Sequence, residues 1–249
     1  MDSKLRRRLV ELAAKYETPR FLEGDPSWFM HQAVGAANQE ATAFVASCLS
    51  FGSRSQFMAR IEDIVRAAKG DVDRWVRTGG FEKTFAPGDG RCFYRFFTHG
   101  AMNEFLCAYR RIMEEHGSLG AFVRGAAKGD ARAAVGAMCA KFAALGSGGV
   151  VPCGACSACK RICMFLRWMA RDGSPVDLGL WSGFLDKGTL VVPLDTHVVQ
   201  EACRLGLLKG RNASMAAAVR LTAALAEAFP GDPCRGDFAL FGLGVDSAP

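Results

Sequence analysis

The sequence lacks any apolar run long enough to cross a lipid bilayer, which argues against an integral membrane protein. The basic residues 4–8 are followed by an amphipathic pattern rather than by an uninterrupted apolar segment with a cleavage site, so we expect a protein that is not exported. In a chain of this length that is expected not to be exported, the ten cysteines are expected to be reduced thiols rather than disulfides. We therefore expect a soluble, cytoplasmic protein with no membrane among its partners.

The sequence is equally short of strand signals and of internal repeats. Residues 189–194 give one weak strand candidate, and the alternation of apolar and polar residues that marks a half-buried sheet is missing elsewhere. A hydrophobic content of 50% over 249 residues is enough for a sizeable core. These features predict an all-α protein with a single domain, 1–249, made of an N-terminal helical part (about 1–145) and a C-terminal part (about 146–249).

Apolar residues recur at helical spacing through most of the chain, between segments rich in glycine and proline. The aromatic residues at 93–97 and 105–113 are expected to form a helical pair whose apolar stripe packs in the core. Ser214 is expected to cap a helix. The other predicted helices cover residues 3–16, 39–50, 58–68, 71–77, 119–145 (as two helices), 160 onwards, 196–205, 214–229 and 236–243.

Basic residues exceed acidic ones, giving a net charge of +6 and a pI near 8.9. This balance suits a polyanionic partner but is too mild to require one. On a helix that starts at Lys160, a rotation of about 100° per residue places Arg167 and Arg171 close to Lys160, opposite an apolar stripe. This basic face is either a solvated surface or a set of contacts to phosphate groups.

The stretch 153–197 combines a Gly/Cys-rich turn, a helix opening at Lys160 and a segment that delivers Asp195 to the start of another helix. An amine and a carboxylate at the starts of two successive helices can converge on one cleft, so this pair is the candidate active site. From the residues alone, two plainer interpretations stay open. Asp195 can be a helix N-cap, and His197 can be a structural hydrogen-bonding residue.

Two segments carry a resemblance to a known family. Pro-Leu-Asp-Thr-His-Val at 193–198 and Asp-Phe-Ala-Leu-Phe-Gly-Leu-Gly at 237–244 resemble motifs of the helix-hairpin-helix GPD superfamily of DNA glycosylases. The whole chain is similar, more closely still, to a family of uncharacterised bacterial proteins with strings like those at 159–161, 165–169 and 239–244. Among glycosylases of known activity, it is similar to the archaeal enzymes that remove 8-oxoguanine.

The resemblance implies a two-lobed helical fold and a monomer associated with the nucleoid, with double-stranded DNA carrying a damaged base as its substrate. It implies that Lys160 forms a Schiff base and that Asp195 is the catalytic aspartate. Asp237 and Phe241 match the acid and the aromatic residue that hold and stack the extruded base, with Phe241 standing where tryptophan is expected. Together these roles describe a bifunctional DNA glycosylase and AP lyase acting on an oxidised purine, with 8-oxoguanine as the first candidate.

The chemistry suits these residue types independently of the resemblance. Cleavage of an N-glycosidic bond builds positive charge on the sugar, so a carboxylate beside it stabilises the transition state while a neutral amine attacks the anomeric carbon. The base must first leave the stack, which requires an aromatic wall and phosphate contacts. Phe241 and Trp181 are the candidates for the wall, although Trp181 can equally be a core residue. Arg167 and Arg171 are the candidates for the phosphate contacts. The alternative is a DNA-binding protein of the same fold without glycosylase activity.

Four cysteines in the same stretch form a competing signal. Their Cys-x2-Cys-x2-Cys-x3-Cys spacing is the one that ferredoxin-like proteins use to hold an iron-sulfur cluster, and they are Cys153, Cys156, Cys159 and Cys163. No proline follows the last of them, and Lys160 lies inside the motif. We therefore expect no metal or cofactor, and keep an iron-sulfur cluster as the alternative that accompanies the non-catalytic DNA-binding protein.

Overall fold

The computed structural model describes residues 1–152 and 157–246. This part of the chain contains twelve α-helices, three 3-10 turns and a short two-stranded antiparallel sheet, so the all-α prediction is confirmed at the level of fold class. None of the described helices is long and apolar enough to cross a membrane.

The helices are α1 (Ser3–Tyr16), α2 (Ser27–Gln32), α3 (Ala36–Leu49), α4 (Arg54–Ala67), α5 (Val72–Arg77), α6 (His99–His116), α7 (Leu119–Ala127), α8 (Ala131–Leu145), α9 (Lys160–Ala170), α10 (Thr196–Arg204), α11 (Met215–Ala226) and α12 (Arg235–Asp246). The strands are β1 (Cys92–Tyr94) and β2 (Phe97–Thr98), and the 3-10 turns are Pro19–Leu22, Gly80–Lys83 and Lys187–Thr189.

Several helices begin directly after a side chain that accepts a hydrogen bond from the first turn. The predicted cap Ser214 is confirmed, since its hydroxyl accepts from the Ala217 N–H at 3.2 Å and α11 begins at the next residue. Ser118 does the same for α7, accepting from the Ala121 N–H at 3.0 Å. Such caps satisfy backbone donors that the helix leaves unpaired, which explains why these boundaries follow from local sequence.

Residues 93–97 form a hairpin instead of the predicted helix. Strands β1 and β2 are antiparallel, and Tyr94 lies opposite Phe97. The turn between them holds Arg95 in the left-handed backbone region, with φ 54°. That conformation is uncommon for a residue other than glycine, so the sequence carries no signal for the turn. The apolar stripe at 105–113 is helical and buried in α6, as predicted.

The strand candidate at 189–194 is also wrong. The segment follows the 3-10 turn Lys187–Thr189 without regular secondary structure and pairs with no strand in the part of the chain that the structure describes. Its backbone instead bonds to a side chain of α11, since the Val192 N–H donates to Thr222 Oγ1 at 3.0 Å. The segment is therefore a buried connection that leads into α10, and its apolar side chains belong to the core.

The chain divides into two compact units. The first comprises Met1–Glu23, Gly129–Arg132 and the described part of Gly154–Pro249. The second comprises Gly24–Lys128 and the described part of Ala133–Cys153. This division differs from the predicted parts because α1 packs against α12 and so belongs with the C-terminal helices.

The core of the second unit is built on aromatic residues. The ring of Phe44 on α3 lies 5.7 Å from Phe105 and 4.9 Å from Tyr109, both on α6, and 5.1 Å from Phe142 on α8. All four side chains are fully buried. The interpretation of the aromatic residues as core is therefore confirmed for the stripe at 105–113, whereas Phe96, which was predicted to belong with them, is 69% exposed.

The first unit is organised around α9. Every residue of this helix from Ile162 to Ala170 is buried, including Arg167 in its middle. A helix buried all round must find partners for its charged side chains inside the protein, because an unpaired charge in the core is strongly unfavourable. This requirement shapes the candidate site.

Candidate active site

Lys160 and Asp195 approach each other at the starts of α9 and α10. The Lys160 Nζ lies 3.6 Å from Asp195 Oδ2, with 31% and 36% of the two side chains exposed. Cys159, which precedes α9, has left-handed backbone angles (φ 46°, ψ 37°), and its carbonyl accepts from the Cys163 N–H at 3.0 Å. The structure thus brings together the amine and the carboxylate of the candidate pair, and leaves both within reach of solvent.

The two carboxylate oxygens of Asp195 have different partners. Oδ1 accepts a hydrogen bond from the Val198 N–H at 2.9 Å, which is the N-cap of α10. Oδ2 faces the Lys160 ammonium group. Asp195 is therefore an N-cap and also approaches Lys160, because each contact uses a separate oxygen. His197, two residues further on, is exposed.

Asp237 lies in the first turn of α12 and is largely enclosed, with 14% of its side chain exposed. Burial raises the pKa of this carboxyl to about 6, although the neighbouring Arg167 guanidinium lowers it. The Asp195 carboxylate adds to the rise in pKa, and Lys160 opposes it. The charges of Lys160 and Asp195 therefore both act on the pKa of Asp237. A carboxyl with this pKa can donate or accept a hydrogen bond near neutral pH.

Arg167 and Arg171 are buried, so the predicted exposed basic face is wrong for both. They are 4% and 2% exposed. Arg167 Nε lies 3.2 Å from Asp177 Oδ1, and its Nη1 donates to Asp237 Oδ2. Arg171 donates through Nη1 to Asp177. Helical spacing correctly groups the two arginines on one side of α9, but that side faces acidic side chains of the same unit rather than solvent.

Further carboxylates extend this buried network, as does Arg235 at its edge, whose side chain is 41% exposed. Arg171 donates to Glu17 Oε1 at 2.7 Å and to Asp232 Oδ1 at 2.8 Å, and Arg235 Nε donates to Glu17 Oε2 at 2.8 Å. Although burial disfavours its charge, the hydrogen bond to Asp232 and the negative charges of its partners raise the pKa of Arg171. The network ties the end of α1 to α9 and to the start of α12.

The network contains more acids than bases. Three arginines face four carboxyl groups, those of Glu17, Asp177, Asp232 and Asp237. Burial raises the pKa of Asp177 as well, with Arg167 and Arg171 opposing that rise. An excess of carboxyl groups in an enclosed space favours retention of a proton, and the pKa of Asp237 is consistent with this.

Trp181 lies in the core rather than at the surface. It is 3% exposed and meets the ring of Phe165 edge-on at 5.1 Å, with Phe184 at 5.6 Å. The prediction of a substrate-facing aromatic wall is therefore wrong for Trp181, because its ring fills space beside α9.

Phe241 is half-buried on α12. Its ring lies 4.9 Å from Phe21 and 6.3 Å from Tyr16, both in edge-on geometry. It lies one helical turn after Asp237, so the acid and the aromatic residue share a side of the helix. Its role in stacking a base stays a prediction.

The cysteine motif is only partly described. Cys153 and Cys156 lie outside the described residues. Cys159 and Cys163 are 5% and 1% exposed, and the Cys163 thiol donates to the Ala158 carbonyl at 3.5 Å. Burial raises the pKa of Cys163 to about 12, which disfavours the thiolate that metal coordination needs. Within residues 1–152 and 157–246, no three potential ligands are grouped closely enough to hold a metal ion.

Sequence reasoning missed four members of the network: Glu17, Asp177, Asp232 and Arg235. One usable signal was present. Arg167 lies within a strongly apolar helix and Arg171 directly follows it, and buried arginines require carboxylate partners. Nothing in the sequence identifies which carboxylates those are.

Comparison with protein families gives one result. Residues 25–246 match the family described as protein of unknown function (DUF2400). The chain belongs to this family. No curated protein and no solved structure matches the chain. The DUF2400 match includes Lys160, Asp195 and Asp237 but begins after Glu17, and the family description names no activity.

Proposed function

We propose that the protein is a DNA glycosylase with AP lyase activity, and that its fold is of the helix-hairpin-helix GPD type. Its substrate is an oxidised purine in double-stranded DNA, with 8-oxoguanine as the first candidate. The observation that carries the proposal is the approach of Lys160 Nζ to Asp195 Oδ2 at 3.6 Å, at a place that solvent reaches. The resemblance of the motifs at 193–198 and 237–244 to those of glycosylases adds support.

In this mechanism Lys160 is the nucleophile. Its neutral amine attacks C1′ of the damaged nucleotide, forming a C–N bond while the electron pair of the glycosidic bond leaves with the base. Since 31% of the Lys160 side chain is exposed, the proton that Nζ loses can pass to water. Asp195, held by its bond to the Val198 N–H, keeps a negative charge beside the sugar as positive charge develops there.

Asp237 acts on the base in this mechanism. With a pKa of about 6, it is present in both protonation states near neutrality. As an acid it donates a hydrogen bond to an acceptor on the extruded base, and as a carboxylate it accepts one from a ring N–H. Arg167 holds this carboxyl in place from the buried side.

The same covalent intermediate accounts for strand cleavage. The C1′–O4′ bond then breaks, O4′ takes up a proton, and the nitrogen lone pair forms an imine between Lys160 and C1′. This imine acidifies the hydrogen on C2′, so a base removes that proton and the electron pair forms a C–C double bond as the phosphate on C3′ leaves. Sodium borohydride reduces the imine to a stable amine before this happens. A reducible covalent adduct is therefore the diagnostic product of the proposed reaction.

The test is borohydride trapping on a duplex that contains one 8-oxoguanine. We expect wild-type protein to become covalently attached to the DNA, and Lys160→Ala to form no adduct. Lys187→Ala is the matched control, because Lys187 lies in the same unit, is 37% exposed and pairs with Asp172 at 2.5 Å. Equal trapping by wild type and Lys160→Ala, or none by wild type on a panel of oxidised purines, contradicts the proposal.

A second candidate function has one observation in its favour. The 2.9 Å hydrogen bond from the Val198 N–H gives Asp195 a structural role that needs no chemistry. On this alternative, the protein binds DNA without cutting it. Binding of lesion-containing DNA without any trapped adduct favours this alternative.

A further inference from the structure

Phe96 is an exposed aromatic residue at the turn of the β1–β2 hairpin in the second unit. Its side chain is 69% exposed, which is unusual for phenylalanine. Its ring nevertheless has defined neighbours, since it meets Phe97 edge-on at 4.7 Å and lies tilted by 36° against Phe51 at 5.3 Å. The ring is thus held in place on one side and open to solvent on the other.

The neighbours of Phe96 are themselves fixed. The Tyr94 hydroxyl donates to the Phe51 carbonyl, and the rings of these two residues lie 5.0 Å apart. Phe97 is 1% exposed and lies 5.3 Å from Phe51. Phe96 therefore packs on one side against a cluster of aromatic rings, while its other side is open to solvent.

Positively charged side chains lie on the hairpin that carries Phe96. Arg95 is exposed, and it makes no ion pair with any residue that the structure describes. Its side chain lies against the Gly52 turn, where an added Cβ would meet Arg95 Nη1 at 2.8 Å. Arg91, at the base of the hairpin, is also exposed, but Asp89 pairs with it at 2.6 Å.

The acidic groups near the hairpin only partly offset this charge. The hydrogen bond from Arg91 lowers the pKa of Asp89 to about 2, so this carboxylate stays ionised and continues to neutralise Arg91. Arg60, whose guanidinium lies 5.6 Å from the Phe93 ring, pairs with Asp63 at 2.8 Å. Arg95 is left beside the exposed ring as a cation available to a polyanion.

We propose that Phe96 and Arg95 form a nucleic-acid contact, in which an unpaired base stacks on Phe96 while Arg95 meets a neighbouring phosphate. An aromatic face beside a cation suits a nucleotide, because every base has a π-face and every nucleotide carries a negative charge. The choice of DNA as the nucleic acid rests on the proposed function. The contact itself requires no chemistry from Lys160.

The test measures binding by the full chain, using fluorescence anisotropy at several salt concentrations. The probes are a labelled single strand and a labelled duplex with one unpaired base. Phe96→Ala is expected to weaken binding by about 5- to 150-fold, the range for loss of one base–aromatic stack, and to leave the salt dependence unchanged. Arg95→Ala is expected to reduce the slope of log K against log salt by about one, as loss of one phosphate contact requires. Phe96→Trp is expected to retain wild-type affinity, because it keeps the stacking surface.

Two variants control for general effects of exposed side chains in the same unit. Val34→Ala removes apolar surface from a residue that is 88% exposed. Arg66→Ala removes a positive charge whose side chain is 71% exposed. Both are expected to bind like wild type, which separates the position of the contact from net charge and total apolar surface. Thermal melting of each variant checks that its fold is intact.

Several outcomes overturn the proposal. Wild-type affinity in both Phe96→Ala and Arg95→Ala does so, as does a loss that Arg66→Ala reproduces. So does a change in self-association of Phe96→Ala, measured by sedimentation, without a change in DNA affinity. If Phe96→Ala melts at a lower temperature, its loss of affinity can come from unfolding. The test then rests on the variants that keep their melting temperature: a normal salt slope in Arg95→Ala, or weakened binding by Phe96→Trp, overturns the proposal.

The contact and the proposed reaction can fail separately. Binding that depends on Phe96, without any borohydride-trapped adduct, supports the contact and rejects the glycosylase. Trapping in wild type, with no loss of affinity in Phe96→Ala and Arg95→Ala, supports the glycosylase and rejects the contact.

Discussion

Replacing Asp237 with asparagine is expected to stabilise the fold at neutral and alkaline pH. Enclosure of this carboxyl raises its pKa from the ordinary 3.8 to about 6, although Arg167 opposes the rise. The folded protein therefore favours the protonated form more than the unfolded chain does. Asparagine resembles that neutral form in shape, and its side-chain oxygen can still accept from Arg167.

The expected magnitude follows from the pKa. A rise from 3.8 to about 6 corresponds to about 3 kcal/mol, since each pKa unit is worth about 1.36 kcal/mol. Because the folded pKa is the higher one, the stabilising contribution of Asp237 is fully present below pH 3.8 and is lost as the pH rises through about 6. The asparagine variant escapes this loss, so at pH 8 its free energy of unfolding should exceed that of wild type by up to about 3 kcal/mol.

The assay is urea unfolding of both proteins at intervals between pH 4 and pH 8. Contributions from other titrating groups cancel in the difference between the two proteins, which isolates Asp237. The matched control is Asp172→Asn. Asp172 is an exposed residue whose pKa is lowered by its hydrogen bond from Lys187, so it stabilises at higher pH and loses that contribution as the pH falls. The two variants should therefore differ in the sign of their effect at pH 8.

Two results would refute this reasoning. One is an Asp237→Asn variant that is less stable than wild type at pH 8. The other is a difference in stability that does not grow as the pH rises from 4 to 7. Under the proposed function, the more stable variant should also lose base excision, because asparagine cannot change its protonation state.

Four further outcomes are expected. Lys160→Ala should abolish trapping and strand cleavage while still binding lesion DNA, as gel shift and cleavage assays can show. Asp195→Asn should keep its thermal stability, because the amide oxygen can cap α10, yet lose most turnover in single-turnover assays; normal turnover contradicts a catalytic role. Arg171→Met should cost about 3–5 kcal/mol in urea unfolding, since it leaves buried carboxylates without their partner, and a loss under about 1 kcal/mol argues against the network. Purified protein should be colourless and keep its fold after chelation, whereas visible absorption that disappears on mutating Cys153 and Cys156 indicates a cluster.

The parts of the fold that follow from the sequence are those fixed by local interactions. Helix α1 begins and ends where its apolar spacing predicts, and α11 begins after the capping Ser214. The start of α9 at Lys160 follows from the apolar stripe behind it. The hairpin could not be predicted, because its turn depends on a left-handed Arg95, and arginine has no preference for that conformation.

In the candidate site, too, the features set by local sequence could be predicted and those set by distant contacts could not. The positions of Lys160 and Asp195 at two helix starts indicated that they could meet. The burial of Arg171 could not be foreseen, because its partners Asp232 and Glu17 lie 61 and 154 positions away along the chain. Whether a charged helical face meets solvent or carboxylates is decided by such distant contacts, on which periodicity carries no information.

The two oxygens of Asp195 have a consequence for the entropy of the site. Because Oδ1 is bound to the Val198 N–H, the side-chain torsions of Asp195 are already restricted before any ligand arrives. The direction of Oδ2 is then set by the axis of α10, so its charge needs no ordering when a cation approaches. A glutamate here would carry the same charge on a longer side chain with an additional rotatable bond. It would give up both the cap and the fixed direction of the charge, which restricts this position to aspartate.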